Sequence, residues 1–551
     1  MKSQSGYWKA IGRHFDINQA VATAAPYSVS VLAYANSFLY NQGILCYRAR
    51  HEIRLLDVHS GGKQERVLNL FTAFQLFYSE PPGMDAVDRV SLLQYSDDIL
   101  VFRVDAGSNL AHDQTNDDQA DLLSVFDMTR PLNSFTKRIP LGAQVFVRHS
   151  RTYLWYGIFR EHIEEWTERL ICEWTIYGVD LKTQNSVETF RVEAADSDLG
   201  QSICFEMYNE HLYAVSTQTT SSDVTPYSSF YHVFCCAPRD KLCPIFDLWT
   251  DLSIRIDETT GRPVILECRR EHSSGGSENH RTYYVQPVPL PEECLIQHGE
   301  RDTTYLAWND LHEHQDSEYK DNEHRPKPRL PHEFHAEFAS TDGNRKEFKH
   351  MSTRYHTYDL ASSTFIELVD DRVLQPDGLQ SLGCLRVRTI SRKPKCPIDE
   401  EGTEGKEGLL FRPTQNSEDG CPIEGSEKRF ITCGVHMWPP DNAPAELCRL
   451  LCPGTRIDTV RAISDERSLI CSIKYPSLPA ACQALILISF DPQISFPFLS
   501  SSRDMRTSGD FDKAFPFENT QPEVPNEDLL TKTEPLYEGI RLGYWLRRGD
   551  Y

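Results

Sequence analysis

SFLYNQGILCYRARHEIRLLDVHSGGKQERVLNL, residues Ser37–Leu70, reads as three short strands separated by polar turns. The first is GILCY, Gly43 to Tyr47. The second, EIRLLDV, sets Ile53 and Leu55 on one face and Arg54 on the other, the period of two that a half-buried strand requires. Ser60-Gly61-Gly62 then breaks the chain, because glycine takes the positive φ values of a tight turn. The third strand carries Val67 and Leu70. A meander of short strands joined by hairpins is the unit from which β-propellers are built.

Units of the same texture recur along the chain. Arg89 to Leu93, Ile99 to Val104 and Asp121 to Met128 form a second. Val145 to Arg148, Thr152 to Gly157, Trp174 to Leu181 and Thr189 to Val192 form a third. Ser202 to Tyr208, His211 to Thr217 and Ser229 to Cys235 form a fourth. The fifth shows the cleanest alternation, Leu252, Ile254 and Ile256 against Ser253, Arg255 and Asp257, followed by a hairpin turn at Thr259 to Arg262. Strand texture returns at Tyr355 to Leu360, Phe365 to Val369, Leu385 to Ile390, Val460 to Ser464, Ser468 to Ile473 and Ala484 to Phe490. The spacing is too uneven for a short sequence repeat.

The expectation is therefore an all-β chain: one β-propeller of about six irregular blades, with a short N-terminal helix and long polar loops. Residues 1–28 read as a helical linker, with Trp8, Ile11, Phe15 and Ala22 on a loosely apolar face and Pro26 as the stop. Residues 29–498 are the propeller-like domain. It carries a His-rich, acidic insert at about 294–350 and a second acidic loop at about 393–425. Pro444 to Leu451 suits a short helix, and 499–551 reads as a polar tail.

The 551 residues carry 80 acidic and 57 basic side chains, a net charge of −23. That argues against a nucleic-acid binder, which needs a basic footprint. The sixteen cysteines are scattered, with no C-x-x-C pair. They read as reduced, small apolar core residues of an intracellular protein, cytoplasmic or nuclear. The most apolar run, Ala484 to Phe490, is far below the roughly 20 residues that a bilayer span needs. Ala20 to Ala35 is interrupted by polar residues and does not read as a signal peptide.

No P-loop, G-x-G-x-x-G or G-x-S-x-G pattern occurs. His332-Glu333-Phe334-His335 has the wrong spacing for a zinc-protease helix and is flanked by Pro331, so it reads as a surface loop, together with His312 and His314. Asp57, Asp127, Asp180 and Asp359 recur at strand ends. They read either as a ring of carboxylates at a propeller mouth or as turn-forming residues whose side chains hold amides two positions on, and the second reading is favoured. These residues name no catalytic, cofactor-binding or metal-binding set, and no cofactor is expected.

Several stretches, read together, resemble the fungal F-box proteins with a C-terminal β-propeller. They include Trp8–Tyr47, Arg54–His59, Gly200–Gln218, Ser228–Phe234, Arg281–Pro287, Arg354–Asp371, Gly434–Pro453 and Ser464–Ser472. The resemblance implies the substrate-recognition region of an SCF-type ubiquitin ligase receptor. Such a region is not itself catalytic. Its F-box docks an adaptor that links it to a cullin, and its propeller recruits an unknown protein substrate. An F-box should stand before Tyr7, and only six residues do. Leu330-Pro331 imitates an F-box start but is followed by polar STDGNRK at Ser340 to Lys346. The expectation is a truncated gene model or a lost docking module, with adaptor and cullin as partners only if an upstream F-box exists. The alternatives are a propeller-fold hydrolase with a central-channel site and an F-box-free interaction scaffold.

Overall fold

Strand pairing follows chain order over most of the molecule, as the alternating hydrophobic pattern requires. The computed structural model describes residues 2–77, 85–105, 120–163, 170–187, 189–193, 199, 203–217, 231–236, 251–257, 260–272, 279–288, 333–336, 353–374, 381–394, 430–440, 443–451, 460–475, 478–479, 482–501 and 528–547. The chain divides into two compact units. One comprises Met1–Lys137, Asn344–Lys393 and Thr432–Tyr551, and the other Arg138–Gly343 and Pro394–Ile431. Among the described residues the fold is all-β, with seven sheets and few helices, most of them short.

In the first unit, helix α1 (Lys2–Ala22) leads into β1 (Ser28–Ala35). The opening stretch folds as β2 (Ser37–Asn41), β3 (Ile44–Ala49), β4 (Glu52–Asp57) and β5 (Glu65–Asn69). Leu70 starts a helix, Leu70–Phe77, rather than ending the last strand: the Asn69 side chain accepts the amides of Phe71 and Thr72, capping the helix. A second meander is β6 (Val90–Ser96), β7 (Ile99–Val104), β8 (Ala120–Asp127) and β9 (Phe135–Pro140).

The second unit holds three sheets. The first is β10 (Val145–His149), β11 (Tyr153–Ile163), β12 (Leu170–Asp180) and β13 (Phe190–Glu193). The next is β14 (Ile203–Tyr208), β15 (His211–Thr217) and β16 (Tyr231–Cys236). The last is β17 (Asp251–Ile256), β18 (Pro263–His272), β19 (Asn279–Pro287) and β20 (Glu333–Ala336). Phe146 of β10 stacks on Phe205 of β14 with ring centroids 3.7 Å apart, and fully buried Trp174 meets both rings edge-on. Such aromatic pairs add about 0.5–1.5 kcal/mol each beyond the area they bury. Gly157 on β11 is required here, since a Cβ would stand 2.1 Å from a Phe146 ring carbon.

The chain then returns to the first unit. It forms β21 (Thr353–Asp359), β22 (Thr364–Leu374), β23 (Ser381–Pro394) and β24 (Phe430–Trp438), which make one sheet. A short helix, Ala445–Leu451, follows. Next come β25 (Arg461–Ser464), β26 (Ser468–Ile473) and β27 (Gln483–Ser489), then β28 (Ser500–Ser501), β29 (Leu530–Thr533) and β30 (Gly543–Trp545). β27 pairs antiparallel with β1 from Ser28↔Ser489 to Ala35↔Gln483, and β30 pairs with the other side of β1. β29 pairs with β5. The C-terminal stretch expected to be a polar tail thus supplies three strands to sheets that the N-terminal region begins. The paired edges need them, because an exposed edge leaves a row of unsatisfied amides and carbonyls.

Helix α1 packs through Ile17, Ala20 and Val21, and the turn after it through Ala24, in one apolar cluster with Val29, Val31, Ile486 and Ile488. The expected face differs: Ile11 and Phe15 are exposed, at 43% and 66%. Arg13 pairs with the fully buried Asp491 carboxylate and fixes the helix along its axis. The insert at about 294–350 contributes β20, whose Glu333–Ala336 run pairs with Thr282–Val285. The loop at about 393–425 lies outside the described residues beyond Pro394. Among the described residues no helix is long and apolar enough to cross a membrane.

Candidate functional site

The four aspartates singled out above all sit at strand ends and hold turns. Asp57 accepts the Ser60 amide at 3.0 Å. Asp127 accepts the amides of Thr129 and Arg130 at 2.8 and 2.9 Å, and Asp180 those of Lys182 and Thr183 at 2.8 and 2.9 Å. Asp359 accepts the Ser362 amide at 2.7 Å. Hydrogen bonds of this kind and burial act on a carboxyl in opposite directions, and at Asp359 burial outweighs the Ser362 bonds and raises it. For Asp127, burial pushes the carboxyl up, but the Thr129 hydroxyl and the two amides outweigh it and hold it below the usual range. The turn reading accounts for all four.

His335 falls in β20, a strand rather than a loop. His312, His314 and His332 lie outside the described residues. Among the described residues no group of three or more His, Cys, Asp or Glu is placed to hold a metal ion.

A denser polar cluster, which the sequence did not suggest, lies within the first unit at the β25–β26 turn. His59 Nε2 is 3.0 Å from Asp465 Oδ2, and the other carboxylate oxygen accepts the amides of Arg467 and Ser468 at 3.0 and 2.9 Å. Gly43 donates its amide to the same carboxylate at 3.1 Å. The Tyr40 hydroxyl stands 2.6 Å from Ser468 Oγ and 3.4 Å from His59 Nε2. Burial pushes Asp465 up, yet the His59 hydrogen bond and charge, with Tyr40 and the turn amides, pull it below the ordinary carboxylate range. Ser, His and Asp meet here without forming a nucleophile relay. Ser468 Oγ bonds Asp465 and Tyr40, and its hydroxyl has no His59 nitrogen as a base. The cluster ties the turn to the β2–β3 and β4–β5 hairpins.

The opposite end of β25 opens a cleft of about 360 Å³. Asn36, the single residue between β1 and β2, forms one wall with Ser37 and Phe38, and Val460, Arg461 and Gln483 form the other. The strand starts converge because Gln483 pairs with Ala35 across β27–β1 and Arg461 pairs with Ser472 across β25–β26. The Asn36 amide donates to the Arg48 carbonyl at 2.9 Å and fixes the corner. Arg461 is exposed, and among the described residues no hydrogen bond or ion pair engages its guanidinium. Ser37 Oγ is buried and has no hydrogen-bond partner among the described residues. Lys474 Nζ donates to the carbonyls of Leu478 and Cys482 at 3.2 and 2.9 Å, which folds the segment leading to Gln483. Among the described residues no Asp or Glu lines the cleft.

No protein-family model matches this sequence, and no curated protein matches it. Among solved structures, it is similar to an acylaminoacyl peptidase of Pyrococcus horikoshii at 8% identity with a TM-score of 0.27, covering 67% of this chain and 50% of that one. The chain therefore spans half the length of that peptidase. Semaphorin 1a extracellular domains 1–2 from Drosophila align at 8% identity and a TM-score of 0.22, over 84% of this chain and 86% of that one. Drosophila Semaphorin 2a aligns at 11% identity and a TM-score of 0.24, over 83% and 74%. Likenesses this low carry no argument about fold or function.

Proposed function

We propose that this chain is a protein-binding module of β-propeller type, the substrate-recognition region of an F-box-type ubiquitin ligase receptor. Each of the seven sheets is a blade on this reading, one more than the about six expected from the sequence. The observation that carries the propeller is the pairing of β1 with β27. A ring of meander sheets must protect its last edge, and a strand from near the N-terminus does so when it joins the final sheet. The binding reading is supported by how the carboxylates are used. Asp57, Asp127, Asp180, Asp359 and Asp465 all brace turns, so the strands form a rigid frame for loops, where recognition is commonly placed. The ligase link rests on the resemblance of the segments from Trp8 to Ser472. The compartment is cytoplasmic or nuclear.

Co-purification tests the reading. This chain, and a version extended upstream through the transcript, are expressed in parallel and probed for the F-box-binding adaptor and the cullin. Recovery of both with the extended version alone supports the receptor. Failure of both versions, over an upstream region without an F-box, removes the ligase role and leaves the interaction scaffold.

A further inference from the structure

The cleft at the start of β25 combines three properties. It is cationic in a chain whose net charge is −23. Arg461 stands on its wall, and among the described residues no hydrogen bond or ion pair engages its guanidinium; beside it, burial raises the Cys482 thiol, and the positive charges of Lys474 and Arg50 only partly oppose that. The cleft also holds unanswered polar capacity. Ser37 Oγ is buried and, among the described residues, has no hydrogen-bond partner. A buried hydroxyl without a partner costs free energy until a ligand or water satisfies it. Finally, one part of the wall is apolar: Phe38, Val460 and Leu485.

A guanidinium presents a planar fork of donors that matches a carboxylate, and such charge-assisted pairs are about twice as strong as neutral ones. One arginine beside an apolar wall suits a single carboxylate carried next to an aliphatic or aromatic group. The fork would also fit a phosphate, but the single positive charge of one guanidinium leaves half the charge of a doubly ionised phosphate uncompensated. The volume lies near the lower end of the about 300–1,000 Å³ typical of ligand sites, enough for a few side chains rather than a folded surface.

We propose that this cleft docks a short acidic peptide segment, with an Asp or Glu carboxylate on Arg461 and a neighbouring apolar side chain against Phe38 and Val460. Gln483 and Ser37 then meet the peptide's main-chain groups. The inference rests on the protein-binding reading and names the chemistry of one recognised segment.

Selection of a random linear peptide library displayed on phage, against the full purified chain, tests it. The enriched peptides are resynthesised with a fluorophore and titrated by fluorescence polarisation. The expected result is a shared Asp or Glu beside Leu, Ile, Val or Phe. Affinity should fall roughly tenfold or more in Arg461→Glu and Arg461→Gln, as for loss of a charge-assisted hydrogen bond, and hold in Arg138→Glu, at an exposed position of β9. Circular dichroism of each variant verifies folding, and Gln483→Ala gives a second, uncharged probe of the same wall. Enriched peptides without an acid, or acidic peptides indifferent to Arg461, overturn the cleft while leaving a protein-binding module in place. Citrate or inorganic phosphate binding lost in Arg461→Gln, with no peptide enriched, makes it a small-anion site and overturns the peptide. Absence of any enriched peptide overturns the inference. The co-purification experiment then decides separately whether the broader reading falls with it.

Discussion

The backbone amide of Gly43 donates to the Asp465 carboxylate at 3.1 Å, across 422 positions of chain. Gly43 has φ +77°, and a Cβ there would stand 2.3 Å from the His59 ring, which itself reaches Asp465. A turn near the N-terminus and one near the C-terminus are thus locked through one carboxylate.

That lock makes stability depend on pH with a definite sign. The Asp465 carboxyl is held below its ordinary range in the folded chain. Its contribution is present above the unfolded value of about 3.9 and is lost as pH falls through the folded value. Urea denaturation should show Asp465→Asn clearly less stable than the parent at pH 6, with the gap narrowing at pH 3. Glu65 and Asp359 are pushed the other way, by burial first. Both are unchanged between parent and variant, so their effects cancel in the difference. A gap that stays constant between pH 6 and pH 3 would refute the assignment.

Gly157→Ala should destabilise the second unit by about 1–3 kcal/mol, the usual effect of overpacking. The added methyl meets the Phe146 ring, which is already stacked on Phe205 and in edge contact with Trp174. Tryptophan fluorescence during denaturation reads the change, since Trp174 belongs to the same cluster. An unchanged midpoint would mean that the ring can move aside.

Glu367 and Arg388 face each other across β22 and β23 and form a buried ion pair, with side chains 1% and 7% exposed. Removing one partner leaves an uncompensated charge, so Glu367→Ala should cost about 3–5 kcal/mol. The double variant Glu367→Leu/Arg388→Met should recover much of that loss. If the double variant is no better than Glu367→Ala, the pair is not the source of the penalty.

Cys46, Cys204 and Cys471 are buried and free, and burial raises all three thiols, Cys204 and Cys471 to about 12. The thiolate is the reactive form. Iodoacetamide at pH 8 should therefore leave these three unmodified in the folded chain and modify them in urea, as read by peptide mass spectrometry. Rapid labelling of Cys471 without denaturant would contradict its place in the core.

The strands were legible wherever burial on one face imposed alternation. Leu252 and Ile254 are 2% and 5% exposed on β17, as their spacing predicts. Ile256 continues the same pattern but is 43% exposed, because the strand ends there and the turn carries its side chain away from the core. The turn role of Asp127 and Asp180 was legible too, since an Asx turn is a local hydrogen bond. Pairing of β29 with β5, and of β1 with β27, was not: register between distant segments leaves no trace in either local pattern. The same reason hides the cleft, whose residues Asn36, Arg461 and Gln483 are unremarkable until three strand starts bring them together.

The placement of β1 between β27 and β30 has a consequence for how the chain is made. On the ribosome, β1 emerges hundreds of residues before its partner, at roughly 5–20 residues per second. For that interval Val29, Val31 and Leu32 are an apolar strand with two open edges. The sheet that holds β1 can close only after Gln483–Ser489 has left the exit tunnel.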